Sequence, residues 1–163
     1  MSASSHPAED PPVPTVRVVG ALVRDGDLVL LTQRRPDADH PLCWEFPGGK
    51  VEAGETDAEA LRRELREELD ADALVGPLYL AVQHRLPRFM LDLRVHRCVL
   101  AAGILRPLGV HALRWVRMGG GVDESVGLPV PPADAPVLRL LRADAGLPEE
   151  PASPERRRDR MPP

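Results

Sequence analysis

The stretch from Thr56 to Leu69 constrains the fold of this chain more than any other. Thr56 and Glu59 form an S/T-x-x-E capping box, which starts a helix by satisfying its first free N–H groups. Ala58, Leu61, Leu65 and Leu69 follow at helical spacing and predict a buried stripe. On a wheel of about 100° per residue, Glu64, Glu67 and Glu68 fall at about 0°, −60° and +40°, a narrow arc beside that stripe. Three like charges ~6 Å apart repel by roughly 0.7 kcal/mol per pair in water and ~3 at an effective dielectric of about 20. A divalent cation offsets that repulsion, because hard cations prefer oxygen ligands. Taken alone, the helix also fits a solvated surface: Arg62, Arg63 and Arg66 interleave with the glutamates, and Glu59–Arg63 and Arg63–Glu67 are i,i+4 pairs.

The preceding segment shifts the balance toward a site. Pro47-Gly48-Gly49 breaks a short apolar stretch from Leu42 to Phe46, just ahead of the helix. Glycines at such a place let backbone groups approach a phosphate or a metal without a Cβ in the way. Glu52 and Glu55 flank Gly54 in the connecting loop. Glycine turn, acidic loop and acidic helix arc together suit a polyphosphate held through metal. There is no G-x-x-x-x-G-K-[ST] and no G-x-G-x-x-G, so neither the P-loop nor the Rossmann fingerprint supplies the phosphate site.

The remainder predicts one α/β domain. Val16–Val23 and Leu28–Leu31 read as a hairpin around the turn dipeptide Asp25-Gly26. Gln33–Pro41 reads as a polar loop, Leu78–Arg85, Met90–Leu100 and Ala112–Val116 as strands, and Met118–Gly127 as a glycine-rich loop. A last helix runs from near Asp134 to Ala145, ended by Gly146 and Pro148. Residues 15–146 form the expected folded domain, a mixed sheet covered by helices. The proline-rich ends, 1–14 and 147–163 (the latter with Arg156-Arg157-Arg158), bury too little apolar surface to order themselves and read as tails. Of 163 residues 21 are basic and 25 acidic, a net charge of −4 that argues against a coat for nucleic-acid phosphates. No apolar run approaches the ~18 residues of a membrane span, and the start does not read as a secretion signal. Cys43 and Cys98 fit no zinc or C-x-x-C spacing and read as free thiols in a reducing cytoplasm.

Gly49, Glu55, Arg63, Glu64, Leu65, Glu67 and Glu68 stand at the spacing of the Nudix box, G-x5-E-x7-R-E-U-x-E-E-x-G-U, with U aliphatic. The chain resembles that family. Asp70 and Ala71 depart from the last two positions, and Asp tolerates the left-handed conformation that the family's glycine adopts there. Trp44-Glu45-Phe46-Pro47-Gly48-Gly49-Lys50 resembles the lead-in of MutT-type members, which are nucleoside triphosphate pyrophosphohydrolases. Leu113–Val116 and Pro131-Pro132-Ala133-Asp134-Ala135-Pro136 extend the likeness, which spans about Val16 to Leu141.

The resemblance implies a Nudix-type α/β/α sandwich with a mixed β-sheet and a loop-helix-loop catalytic motif. It implies Mg²⁺, with Mn²⁺ able to substitute, held by Glu64, Glu67, Glu68 and the Gly48 carbonyl. Glu64 would double as general base, Arg63 orient the glutamates, and Glu55 support the loop. Arg35 and His40 fall where relatives contact the nucleotide; His40 reads equally well as an ordinary loop histidine. Trp44 and Phe46 would flank the base or belong to the core. A glutamate that relatives carry before the tryptophan at Trp115 is replaced around Gly109-Val110, with His111 a candidate substitute. Asp134 either reads the base, suiting the amino group of cytosine or the N1–H face of guanine, or caps the last helix.

The implied reaction is hydrolysis of a nucleoside triphosphate to monophosphate and pyrophosphate, with CTP, dCTP or oxidised guanine nucleotides as candidates, in a nucleotide-pool sanitising role. The alternatives are another nucleoside diphosphate derivative such as ADP-ribose, or a non-catalytic nucleotide sensor. The expected partner is a small nucleotide rather than DNA, RNA or a membrane. The expected protein is cytoplasmic, a monomer or homodimer.

Overall fold

The computed structural model describes residues 13–147, so the two expected tails lie, but for their innermost residues, outside it. In chain order the elements are β1 (Thr15–Asp25), β2 (Leu28–Gln33), β3 (Trp44–Glu45), β4 (Gly48–Lys50), α1 (Asp57–Leu69), β5 (Ala73–Arg85), β6 (Met90–Leu100), β7 (Ala112–Gly119), β8 (Val122–Asp123) and α2 (Ala135–Asp144). The sheet runs β5-β6-β1-β2-β7-β8, with β4 also on β1 and β3 also on β2. It is mixed: β1 and β6 run parallel, and the other pairs are antiparallel.

Both faces of the sheet are buried, as strand alternation dictates. Val19, Ala21, Val23 and Leu30 pack toward α1 with Ala60, Leu61, Leu65 and Leu69. Leu22, Val29 and Leu31 face the other way, onto Val137, Leu138 and Leu141 of α2. The result is the expected α/β/α sandwich. The buried stripe of α1 uses Ala60 where the spacing pointed to Ala58, which is only half-buried.

The capping box forms as read: the Thr56 side chain accepts from the Glu59 N–H, and the Glu59 carboxylate accepts from the Thr56 N–H. That employment costs the helix its expected Glu59–Arg63 pair, since Arg63 turns elsewhere. At the other end Asp70 takes the left-handed conformation, φ 56° and ψ 38°, and its N–H bonds back to the Arg66 carbonyl. The Leu69 and Glu68 carbonyls are taken by the N–H groups of Arg106 and Leu108 from the β6–β7 connection.

Three elements depart from the sequence reading. The first hairpin closes with Asp25 opposite Leu28, so its two-residue turn is Gly26-Asp27, one position later than expected. Gly26 supplies the positive φ, 56°. Strand β5 begins at Ala73, because register shifts between Val75 and Leu80 carry it past Gly76-Pro77, which had masked its first residues. The glycine-rich loop holds a short pairing, Met118 with Asp123 and Gly119 with Val122.

One detail positions everything that follows. β1 and β2 pair at their hairpin tip, through Arg24–Val29 and Asp25–Leu28, and then diverge. The segment from Trp44 to Lys50 fills the fork. Gln33 and Thr32 pair with Trp44 and Glu45, the Ala21 N–H donates to the Pro47 carbonyl at 2.8 Å, and Gly20, Val19 and Val18 pair with Gly48, Gly49 and Lys50. Gly48 has φ 151°, and a Cβ there would run into the Val19 carbonyl. Only glycine lets the chain turn inside the fork.

Candidate active site

On the α1 side of this turn, Arg63 is the hub. Its Nε and Nη2 donate to the two Glu55 oxygens at 2.8 and 2.9 Å, its Nη1 to Glu64 at 2.8 Å, and its Nη2 also to the Lys50 carbonyl at 3.0 Å. Glu55 also accepts from the Glu52 N–H at 2.9 Å. The Arg63 guanidinium, helped by that N–H, holds the Glu55 carboxyl down at about 2. A planar fork binding two carboxylates fixes the loop and the helix in one geometry.

Glu64 and Glu68 reach the glycine turn. The Glu64 carboxylate lies where a Cβ on residue 49 would sit, so Gly49 makes the room for it. Glu68 is half-buried and accepts from the Gly48 N–H at 3.2 Å. Burial pushes its carboxyl up to about 8; Glu64 and Glu45 add to the rise and the Gly48 N–H opposes it. Glu67 stands apart, its side chain 60% exposed and 3.5 Å from Arg63. The expected triple of Glu64, Glu67 and Glu68 is therefore not drawn together, and among the described residues no three such side chains converge on one point. The donor chemistry nevertheless suits a divalent cation. Glu68 is a desolvated carboxylate with like-charged neighbours and a single backbone donor, beside a turn that no Cβ obstructs.

Across the turn opens a cleft of about 680 Å³. Its floor is the other face of the sheet, Val18, Leu91 and Leu93. One wall is the β5–β6 hairpin, His84 to Phe89, and the opposite wall is Pro131 to Asp134. Gly48, Gly49 and Lys50 form the rim shared with the α1 side. Mostly apolar walls with a few polar groups suit a flat, partly polar ligand.

Of the expected nucleotide contacts, His40, Phe46 and Asp134 line the cleft. His40 is exposed at the rim with φ 52°. Phe46 is both cleft wall and core, 4% exposed. Asp134 does not cap α2: it makes no side-chain cap bond. Its Oδ1 instead accepts from the Phe46 N–H at 3.2 Å, 88 positions away. It is 6% exposed, and burial, reinforced by Glu45, pushes its carboxyl up to about 7, so at neutral pH it is not the plain carboxylate the sequence suggested.

Arg35 does not join the cleft. It is exposed and pairs with Asp37 at 3.2 Å, outside the cleft. Its neighbour Arg34 lines the cleft and donates to both Glu45 oxygens at 3.0 and 2.8 Å. Strand parity held the clue. Thr32 lies opposite Glu45, and Arg34, two residues on from Thr32, shares that side. Glu45 was likewise overlooked; burial raises its carboxyl against the pull of Arg34. His111 is exposed and outside the cleft lining, its N–H bonded to the Gln33 carbonyl. Gly109 packs on the backbone of Glu67 and Glu68, filling the place where a further glutamate was missed. Trp44 packs partly buried against the core, Cys98 is buried with its thiol pushed up to about 11 by burial, and both cysteines are free.

A NUDIX domain family model matches residues 14–119. The CTP pyrophosphohydrolase of Escherichia coli strain K12 is 34% identical over 128 residues, which are 78% of this chain and 92% of the relative. The 8-oxo-dGTP diphosphatase of Haemophilus influenzae is 42% identical over 73 residues, 44% of this chain and 54% of the relative. Among solved structures, the solution structure of the E. coli ORF135 protein superposes with a TM-score of 0.70 at 32% identity, covering 84% of this chain and 96% of that one.

Proposed function

This chain belongs to the NUDIX family of hydrolases, and we propose that it cleaves a nucleoside triphosphate to monophosphate and pyrophosphate, with a cytosine nucleotide the first candidate. The observation that carries the reading is the two-sided turn at Gly48-Gly49. Carboxylates lie on its α1 side, and a largely apolar cleft roomy enough for a nucleoside lies on the other. A nucleotide with its base in the cleft presents its phosphates to the turn. The likeness to a CTP pyrophosphohydrolase over nearly its whole length supports the substrate class.

In this reading Glu68, Glu64, Glu67 and the Gly48 carbonyl would hold Mg²⁺. The ion, when bound, supplies charge neutralisation at the phosphate oxygens and acidifies the attacking water. Glu64, steered by Arg63 and lying against Gly49, would serve as general base toward the attacking water. Arg63 keeps Glu55, Glu64 and the Lys50 carbonyl in register, so the loop and helix meet the phosphates as one body. Lys50 offers positive charge at the rim, and Phe46 and Asp134 contact the base.

The test is a turnover screen with Mg²⁺ over normal, methylated and oxidised nucleoside triphosphates, scoring pyrophosphate against inorganic phosphate. Pyrophosphate release, strongest with a cytosine nucleotide, supports the reading. Turnover confined to nucleoside diphosphate derivatives such as ADP-ribose, or nucleotide binding without turnover, overturns it.

A further inference from the structure

The wall formed by Pro131 to Asp134 belongs to no helix or strand, yet in the proposed function it has to hold a base in place. Three ties hold the segment. The Trp44 N–H donates to the Pro129 carbonyl at 2.7 Å, and the Phe46 N–H donates to Asp134 at 3.2 Å. These donors sit at alternate residues of one strand edge, so the segment is pinned at both ends to the outer edge of β3, with the Asp134 carboxylate standing in for a backbone carbonyl.

The third tie lies away from the cleft. Arg142 of α2 is 3% exposed and does not line the cleft. Its Nε donates to Asp123 at 2.7 Å and its Nη2 to the Ser125 hydroxyl at 2.8 Å. Asp123 accepts in turn from the Ser125 N–H at 2.9 Å. The wall segment therefore runs between two points fixed to each other: Asp123 and Ser125 where it leaves β8, and α2 where it ends.

We propose that Arg142 is a positioning residue for the nucleotide, setting the place of the Pro131–Asp134 wall by clamping α2 to the end of β8. A guanidinium fork reaches two acceptors at fixed angles; an ammonium on a flexible stem does not reproduce that geometry. The clamp touches neither the glutamates nor the glycine turn, so its loss is felt in binding of the base, not in the chemical step. This rests on the reading of the cleft as the nucleotide site.

Arg142→Lys and Ser125→Ala, each confirmed folded by circular dichroism, are compared with the unaltered enzyme on its best nucleoside triphosphate. Arg142→Lys is expected to raise KM about tenfold with kcat at saturation within threefold, and Ser125→Ala to raise KM about threefold. The ¹H–¹⁵N resonances of Phe46 and Asp134 are expected to move in both, while those of Gly48 and Gly49 stay. If Arg142→Lys does not fold, Ser125→Ala decides alone. A lowered melting temperature with unchanged KM and unmoved Phe46 and Asp134 resonances makes Arg142 a merely structural residue and overturns the proposal. Absence of triphosphate turnover in the unaltered enzyme is a different failure, that of the nucleotide-hydrolase reading itself.

Discussion

The two sides of the Gly48-Gly49 turn are built in opposite ways. On the α1 side the partners are near in sequence: Glu68 is 20 positions from Gly48, Arg63 is 8 from Glu55, and Glu64 adjoins Arg63. On the cleft side they are far apart, with Phe46 and Asp134 separated by 88 positions. The α1 side is charged and wired through one arginine, whereas the cleft is lined mainly by apolar side chains. The difference separates two tasks. Chemistry on a phosphoanhydride needs the same carboxylates whatever the base, and one contiguous segment delivers them as a unit. Selecting a base needs a shape, and shape comes from walls contributed by unrelated segments. Damage on the α1 side is therefore expected in kcat, and damage on the cleft side in KM and base preference.

The strongest attempt to break this division is Glu68→Gln. It keeps the size of the side chain and removes the charge, and turnover is expected to fall by about 10³-fold or more with KM little changed. The fold is expected to survive. Burial raises the Glu68 carboxyl from 4.5 to about 8, so the fold loses stability as pH climbs between those values, and a neutral amide escapes that cost. Denaturant melts at pH 6 and pH 9 check this. Turnover within tenfold of the unaltered protein would remove Glu68 from the chemistry. Gly49→Ala comes next. The added methyl takes the place of the Glu64 carboxylate, so kcat is expected to drop by about 10²-fold, again with little change in KM. A rise in KM alone would mean that the turn serves the cleft instead.

Asp134→Asn probes the other side. The carboxyl ordinarily ionises at 3.8 and here at about 7, so the favourable neutral form is complete only at acid pH. The fold therefore loses stability as pH climbs from about 4 through 7. Asn is neutral throughout and keeps an acceptor for the Phe46 N–H. The variant is expected to be more stable than the parent by about 4 kcal/mol at pH 8 and nearly equal at pH 4, read from urea unfolding. Its ranking of bases is expected to change, with kcat on the best substrate kept within a few fold. A kcat collapse with an unchanged ranking would erase the division of labour.

The same contrast explains what the sequence made legible. The α1 side could be read almost residue by residue, because capping boxes, helical spacing and i,i+1 to i,i+8 partners are local physics: Thr56 with Glu59, and Arg63 with Glu55 and Glu64. What spacing did not show there was the resting place of Glu67, 3.5 Å from Arg63 and largely exposed. The cleft was readable only in outline. Arg35 was named from the resemblance, and that Arg34 faces the cleft instead follows from the pairing of Thr32 with Glu45, which spacing does not reveal. For Asp134 the sequence left base contact and helix cap open; its side-chain partner is a backbone N–H that only the fork between β1 and β2 brings near.

The smallest expected effect lies at Asp70, where the chain departs from the family's glycine. Its left-handed φ of 56° carries a Cβ strain that Asp bears better than most residues and that glycine removes. Against that gain, Asp70→Gly frees the unfolded chain, a cost of roughly 0.5–1 kcal/mol. It also loses an exposed pair with Arg106 at 3.3 Å, worth between about 0 and 1 kcal/mol. The terms nearly cancel, so the stability change is expected to stay below about 1 kcal/mol. The Arg106 and Leu108 N–H groups still hold the last carbonyls of α1 and keep Glu68 in place, so kcat is expected to be unchanged. A tenfold change in kcat would mean that the helix end steers Glu68 through Asp70, and the α1 side would then reach one residue further along the chain than its contacts suggest.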